Sequence, residues 1–116
     1  LVLRFLFVVL LAVPTGMVSK DYDGSNPQLE EWIASTWPVE LVDDAIDVAW
    51  CESRGKPGAV NGRYGGLFQI GPTEWRKFGR GNRFDPIDNS AAAYRYYQYS
   101  AKHTGNGWRP WQCRPA

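Results

Sequence analysis

The segment from Pro38 to Ser53 constrains the fold most, because its apolar residues recur with the period of an α-helix. On a helical wheel of about 100° per residue, these apolar side chains fill one arc of roughly 160°. They are Leu41, Val42, Ala45, Ile46, Val48 and Ala49. Four carboxylates, Glu40, Asp43, Asp44 and Asp47, fall on the opposite side, where we expect solvent. The pattern predicts an amphipathic helix that packs one face against a core.

Glu52 departs from this separation of polar and apolar residues. It lies at the C-terminal end of the predicted helix, inside the apolar arc, between the directions of Val48 and Ala45. A carboxyl that points toward a core beside the negative end of a helix has its pKa raised by both effects. The general acid of a glycosidase needs this property, because it must keep its proton near neutral pH. The alternatives are a structural Glu paired with Arg54 or another cation, or a side chain that turns outward.

The flanking segments predict further short helices and one Gly-rich loop. A first helix begins at Asn26-Pro27 and ends before Pro38. The Gly-rich stretch 54–71 indicates a loop or a small β-hairpin. Pro72 to Phe78 is typical of a brief helix, and a last long helix begins at Asp85-Pro86 and ends near His103. The fold class predicted is therefore mainly α, a small α+β domain of several short helices.

Composition excludes several classes of function. A chain of 116 residues is long enough for one domain, and its net charge of +1 gives no reason to expect nucleic acid. Two cysteines and one histidine cannot supply four zinc ligands, so we expect no metal and no cofactor. In a small secreted domain one disulfide, Cys51 to Cys113, is the better use of two cysteines. Two free buried thiols are the alternative.

The N-terminal segment indicates the compartment. Residues 1–16 are predicted to be a signal peptide, since Arg4 precedes an apolar run from Phe5 to Val13 that is too short to span a membrane. Translation from Met17 is the alternative. Residues 17–28 are interpreted as a linker and 29–116 as the folded domain. We expect a monomer without a membrane span in its mature form, either secreted or wall-associated, or else carried by a phage.

The order of several short motifs resembles the lysozyme-like superfamily. Soluble lytic transglycosylase domains carry Glu-Ser, a Gly-Leu-Met-Gln segment, and later an Asn before an Ala-rich helix that bears Tyr. The corresponding residues here are Glu52-Ser53, Gly66-Leu67-Phe68-Gln69, Asn89 and Ala91-Ala92-Ala93-Tyr94. Phe68 stands in place of the Met, and the Tyr-Asn-Ala-Gly-Pro segment expected after the Ala-rich helix is absent from the sequence.

Resuscitation-promoting factors supply a second resemblance, which extends to the end of the domain. They carry Cys-Glu-Ser, a double Gly before Leu, a Trp shortly after, and a terminal Gly-Trp-x-x-Trp-x-Cys. The corresponding residues here are Cys51-Glu52-Ser53, Gly65-Gly66-Leu67, Trp75 and Gly107-Trp108-Arg109-Pro110-Trp111-Gln112-Cys113. The two resemblances together cover residues 41–113.

These resemblances imply a lysozyme-like fold, a peptidoglycan substrate and a set of site residues. Glu52 would be the catalytic acid, and Gln69 would form hydrogen bonds in the groove. Further substrate contacts are expected from Asn61, Phe68, Tyr94 and Trp108. Trp108 and Trp111 have two interpretations, stacking on sugar rings or packing against the helices, and for at least one of them we favour packing.

The reaction expected from the resemblance is that of a lytic transglycosylase. One Glu protonates the oxygen between N-acetylmuramic acid and N-acetylglucosamine, then accepts a proton from the muramoyl 6-hydroxyl, and a 1,6-anhydro sugar forms. A hydrolytic lysozyme needs a second carboxylate. Asp85 and Asp88 both fit roles at a helix start, and no second catalytic acid is evident. A hydrolase and a non-catalytic glycan-binding module of the same fold remain the alternatives.

Overall fold

A computed structural model describes residues 21–115, which form four helices and one small β-hairpin. The predicted signal peptide and the first residues of the predicted linker lie outside the described residues. The elements are α1 (Pro27–Ala34), α2 (Val39–Ser53), β1 (Val60–Asn61), β2 (Tyr64–Gly65), α3 (Pro72–Phe78) and α4 (Pro86–Thr104). The prediction of a mainly helical α+β domain is confirmed. Within residues 21–115, none of the helices is both long and apolar enough to cross a membrane.

Local sequence signals set the helix ends. The Asn26 side chain accepts a hydrogen bond from the Leu29 N–H at 3.0 Å, and Pro27 occupies the first turn of α1. Helix α2 ends where Arg54 adopts a left-handed conformation with φ of 55°. The Asp85 carboxylate caps α4 by accepting from the Asp88 N–H at 2.9 Å. These caps explain why the sequence predicted the helix starts to within one residue.

The core lies between α1, α2 and α4 and is closed by the segment that follows β2. Its apolar arc on α2 is buried as predicted at Ala45, Ile46, Val48 and Ala49. Trp37, two residues before α2, stacks on Phe68 at 5.5 Å and on Trp108 at 5.2 Å between ring centroids. The core therefore has an aromatic centre that joins the N-terminal helices to the C-terminal segment.

Asn89 of α4 fixes the β-hairpin to the helical part of the domain. Its side chain is fully buried and accepts from the Phe68 N–H at 2.7 Å. The same amide donates to the Arg83 carbonyl at 2.8 Å. Gly66 has φ of +85°, and a Cβ there would lie 2.2 Å from the Asn89 side chain. Glycine is therefore required at this close approach of backbone and amide.

The N-terminal part of the domain begins with the predicted first helix. Pro27 and Gln28, also counted in the predicted linker, lie in α1, and Tyr22 packs edge-on against Trp50 at 5.2 Å. Asp44 and Asp47, both expected in solvent, are only partly exposed, and Tyr22 and Glu30 lie beside Asp47 around a small pocket. The helical wheel could not show this, since it describes one helix without its neighbours.

Candidate active site

A groove of about 490 Å³ runs beside the C-terminal end of α2 and is walled by the β-hairpin and the C-terminal segment. Its lining residues are Cys51, Glu52, Asn61, Tyr64, Gln69, Pro110, Trp111, Gln112 and Cys113. Three of the residues predicted from the sequence, Glu52, Asn61 and Gln69, are therefore brought together. They come from α2, β1 and the loop after β2, so only the tertiary fold makes them neighbours.

Glu52 lies half-buried in the wall of this groove. Burial raises the pKa of its carboxyl, and a hydrogen bond from the Cys113 backbone N–H, at 3.3 Å to Oε2, partly opposes that rise. The alternative of a structural pair with Arg54 is not observed, because Arg54 lies 3.9 Å from the Asp21 carboxylate instead. The raised pKa agrees in direction with the expectation from the sequence, and its main cause is loss of solvent.

The predicted disulfide forms between Cys51 and Cys113, whose Cα atoms lie 5.9 Å apart. The bond closes a loop of 62 residues and connects the end of α2 to the end of the domain. Because Cys51 precedes Glu52, the same bond holds the Cys113 N–H next to the Glu52 carboxylate. The disulfide therefore serves the groove as well as the stability of the fold.

Gln69 and Asn61 form a hydrogen-bonded pair opposite Glu52 in the groove wall. The Asn61 amide nitrogen donates to Gln69 Oε1 at 2.9 Å. Gln69 Nε2 donates to the carbonyls of Ala59 at 3.1 Å and Gly66 at 3.0 Å. Gln69 is 9% exposed and has φ of 53°. Because both ends of its side-chain amide are hydrogen-bonded, Gln69 stabilises the hairpin. Asn61 is exposed, and its side-chain nitrogen is the atom that bonds to Gln69.

Three residues predicted to contact substrate pack in or against the aromatic core. Phe68 is fully buried, and Trp108 is 8% exposed. Tyr94 packs against Trp37 at 5.1 Å and does not line the groove. The sequence pattern could not separate these roles, because aromatic side chains are used for packing and for sugar stacking alike. The structure therefore gives Phe68, Trp108 and Tyr94 a packing role, and contact of these side chains with substrate stays a prediction.

Trp111 packs in the core and also lines the groove. It is 4% exposed, and its indole N–H donates to the Phe68 carbonyl at 2.9 Å. The exposed edge of the ring lies in the groove wall. Packing thus fixes the orientation of Trp111, as expected for at least one of the two tryptophans.

Two residues in or near the groove were not predicted from the sequence. Tyr64 of β2 is 46% exposed and lines the groove. The sequence could have indicated this residue, because Tyr64 is an aromatic residue between Arg63 and Gly65 in a predicted loop, where a buried side chain is not expected. Glu74 of α3 is a further carboxylate, with Oε1 buried and without a hydrogen-bond partner among the described residues. It leans toward Gly71 and Tyr64 but does not line the groove.

The groove offers acid–base and hydrogen-bonding groups. Within residues 21–115, no three His, Cys, Asp or Glu side chains are grouped as a metal site would require.

Comparison with known proteins places this geometry in a family. Residues 38–113 match a family model described as "Lysozyme like domain". The chain belongs to the lysozyme-like domain family. The matched range begins one residue before α2, ends at Cys113, and contains every residue that lines the groove. Comparisons with curated proteins and with solved structures gave no match.

Membership in the lysozyme-like domain family indicates a glycosidase-type fold of the kind that acts on peptidoglycan. In the lysozyme-like domain of this chain, the groove contains a partly buried carboxyl on a helix end facing a β-hairpin.

Proposed function

We propose that this protein cleaves the glycan strands of peptidoglycan at the bond between N-acetylmuramic acid and N-acetylglucosamine, with Glu52 as the catalytic acid. The observation that carries the proposal is the position of Glu52 in the groove of a lysozyme-like domain, with burial raising its pKa. A carboxyl in that state holds its proton at a pH where exposed carboxyls have lost theirs. It can therefore donate to the leaving oxygen.

The reaction proposed is that of a lytic transglycosylase, in which Glu52 acts twice. Its proton passes to the glycosidic oxygen as the bond to the muramoyl anomeric carbon breaks. The Glu52 carboxylate then accepts the proton of the muramoyl 6-hydroxyl, whose oxygen bonds to the anomeric carbon and forms the 1,6-anhydro ring. Atoms balance without water, and Glu52 ends as it began, protonated.

The Cys113 N–H supports the intermediate stage of this cycle. After donating its proton, Glu52 is an anion in a partly desolvated wall, and the N–H at 3.3 Å from Oε2 stabilises that charge. Burial favours the protonated form, and the hydrogen bond favours the ionised form. Burial is the larger effect, and the hydrogen bond makes the ionised form accessible, so that one group can serve as acid and then as base.

The single acidic side chain in the groove favours the transglycosylase over a hydrolytic lysozyme. Among the nine lining residues, all in the described part of the chain, Glu52 alone carries a carboxylate. A hydrolase with two carboxylates places the second one within roughly 5–9.5 Å of the first, across the bond to be cleaved. Glu74 is not among the residues that line the groove.

The remaining groove residues are proposed to orient the sugar. Asn61, held by Gln69, presents its side-chain oxygen to hydroxyl or N-acetyl N–H groups of the strand. Tyr64 offers an exposed ring face for stacking on a pyranose, and the Trp111 edge supports the opposite wall. Gln69 is proposed to act through Asn61 and the hairpin, since its amide is already bonded.

An extracytoplasmic location is part of the proposal. The Cys51–Cys113 disulfide is typical of secreted domains, because cytosolic thiols are kept reduced. The proposed substrate also lies outside the cytoplasm. The partner expected is therefore the glycan strand of the cell wall.

Mass spectrometry of a peptidoglycan digest tests the reaction type. We expect wild-type protein to release fragments that end in 1,6-anhydro-muramic acid, which are lighter than hydrolytic products by one water. The Glu52→Gln variant serves as the control and should release neither. Fragments with free reducing ends would identify a hydrolase and overturn the transglycosylase mechanism, while leaving the substrate class intact.

A further inference from the structure

The charges of this chain are divided between its two parts. Residues 21–53 contain nine Asp or Glu and neither Lys nor Arg. Residues 54–115 contain eleven Lys or Arg and three acidic residues. The near-neutral net charge therefore conceals an acidic N-terminal helical part and a basic part that contains the hairpin, α3 and α4.

Three arginines of the basic part are gathered around the hairpin, and we refer to Arg63, Arg76 and Arg83 as the arginine cluster. The guanidinium groups of Arg63 and Arg76 both donate to Thr73 Oγ1, at 3.4 and 3.5 Å. Arg83 donates to the Arg63 carbonyl at 3.1 Å and the Ile70 carbonyl at 3.0 Å. The Thr73 hydroxyl thus lies between the guanidinium groups of Arg63 and Arg76. The Arg83 guanidinium bonds to backbone carbonyls of the hairpin and of the segment that follows it.

The acidic residues of the basic part do not neutralise the arginine cluster. Asp85 caps α4, and Asp88 accepts from the Asn82 N–H at 3.0 Å. Glu74 leans toward Gly71. In the stretch that the structure describes, no carboxylate oxygen lies within 4.0 Å of the three guanidinium groups. Adjacent cations without a counter-charge repel one another, so an anion bound there gains from all of them.

The arginine cluster adjoins the proposed catalytic groove at Arg63. The Arg63 guanidinium carbon lies 5.7 Å from the centre of the Tyr64 ring, and Tyr64 lines the groove. Arg63 and Arg76 are both exposed. A glycan that stacks on Tyr64 therefore passes beside positive charge as it leaves the groove at the hairpin end.

We propose that the arginine cluster binds carboxylate groups borne by the muramoyl residues of the strand in the groove. This inference rests on the proposed function. Each muramoyl residue carries a lactyl group, which is linked to a short peptide or ends in a carboxylate, and the peptides carry free carboxylates of their own. Guanidinium groups match a carboxylate with two parallel hydrogen bonds. The cluster would thus set the register of the strand and favour muramoyl-containing glycan over a neutral oligomer.

Binding in a non-cleaving background tests this proposal. Glu52→Gln protein is compared with the same protein carrying Arg63→Gln and Arg76→Gln, by titration with three labelled tetrasaccharides. The first is an alternating glycan with peptides, the second is that glycan with free lactyl carboxylates, and the third is a neutral N-acetylglucosamine oligomer. The matched control carries Lys56→Gln and Lys102→Gln, two exposed cations outside the cluster. Thermal unfolding of each variant verifies that it is folded.

We expect the cluster substitutions to raise Kd for the peptide-bearing glycan by roughly threefold to tenfold, as for two exposed ion pairs. Salt should reduce this difference. A loss confined to the peptide-bearing glycan assigns the peptide carboxylates, and an equal loss with the second glycan assigns the lactyl carboxylate. An equal loss with the neutral oligomer, or an equal loss in the lysine control, would overturn the proposal. Failure of wild-type protein to cut walls, with this binding pattern intact, would instead overturn the proposed catalysis.

Discussion

Glu52 is held between two opposing influences at the scale of a single residue. Loss of solvent at the end of α2 raises its pKa, and the Cys113 N–H at 3.3 Å opposes the rise. The helical wheel indicated the first influence, because it placed Glu52 in the apolar arc. It could not indicate the second, since Cys113 is 62 residues away and is brought near by the disulfide.

The raised pKa of Glu52 predicts how its removal changes stability with pH. A group whose folded pKa is raised stabilises the fold fully below its unfolded pKa, and this contribution is lost as pH rises through the folded pKa. The Glu52→Gln variant cannot ionise, so it should exceed the wild type in stability at pH 7–8. The gain should be below about 1 kcal/mol, or a few degrees in Tm, because Glu52 is partly exposed. The difference should shrink toward pH 4.

Thermal unfolding across this pH range provides the measurement. Glu31→Gln removes the same charge from an exposed position on α1 and serves as the matched control. It should show a small and nearly constant effect. A Glu52→Gln variant that is less stable than the wild type at pH 7–8, or whose effect does not depend on pH, would contradict a desolvated carboxyl at this position.

At the scale of elements, the attachment of the hairpin to α4 positions half of the groove. The Asn89 side chain accepts a hydrogen bond from the Phe68 N–H and donates one to the Arg83 carbonyl. Gly66, which has no side chain, allows the backbone to approach the Asn89 amide. Asn61, Tyr64 and Gln69 depend on this attachment for their place in the groove wall. The hairpin has only two residues in each strand, so contacts to α4 rather than strand pairing hold it.

Gly66→Ala should therefore destabilise the domain by about 2–4 kcal/mol. The new Cβ would lie 2.2 Å from the Asn89 amide and 2.6 Å from the Arg83 carbonyl, and φ of +85° is strained for Ala. Gly58→Ala is the matched control, because nothing lies within 4 Å of a Cβ there and its φ is not positive. Chemical denaturation measures both. Equal stability of the two variants would show that the close approach at Gly66 is unimportant.

The elements differ in how far the sequence could predict them. Helix α3 and the start of α4 were predicted closely, since Pro72, Asp85 and Pro86 carry their signals within a few residues. The hairpin was left open between loop and strand, because its pairing of Val60 with Gly65 depends on tertiary support. Tyr64 was missed for the same reason, since only the hairpin aims it at the groove.

At the scale of the whole molecule, the aromatic core joins the two charged parts, and the N-terminal segment packs against the acidic part. The Tyr22 hydroxyl accepts from the Asn26 N–H at 3.0 Å and also contacts Glu30. Trp37 brings together Phe68, Tyr94 and Trp108, which lie far apart in the chain. Sequence alone could not tell these core rings from groove rings, and it could not show that Tyr22 packs against Trp50.

Tyr22→Ala should lower the stability of the full chain by about 1–3 kcal/mol. The loss combines the ring contact with Trp50 at 5.2 Å and the hydroxyl bonds at the start of α1. Tyr22→Phe keeps the ring and removes the hydroxyl, so it should lose only part of this stability. Unfolding in denaturant measures the two variants. A Tyr22→Ala variant as stable as the wild type would show that the folded domain begins later.

Loss of wall-lytic activity on removal of the Glu52 carboxyl tests the central claim most directly. Purified cell walls are mixed with wild-type protein or with the Glu52→Gln variant, and the fall in turbidity is followed at a pH where both are folded. We expect the variant to clear walls at least roughly 100-fold more slowly, because it cannot donate a proton. Clearing by Glu52→Gln at the wild-type rate would contradict the assignment of Glu52 as the catalytic acid.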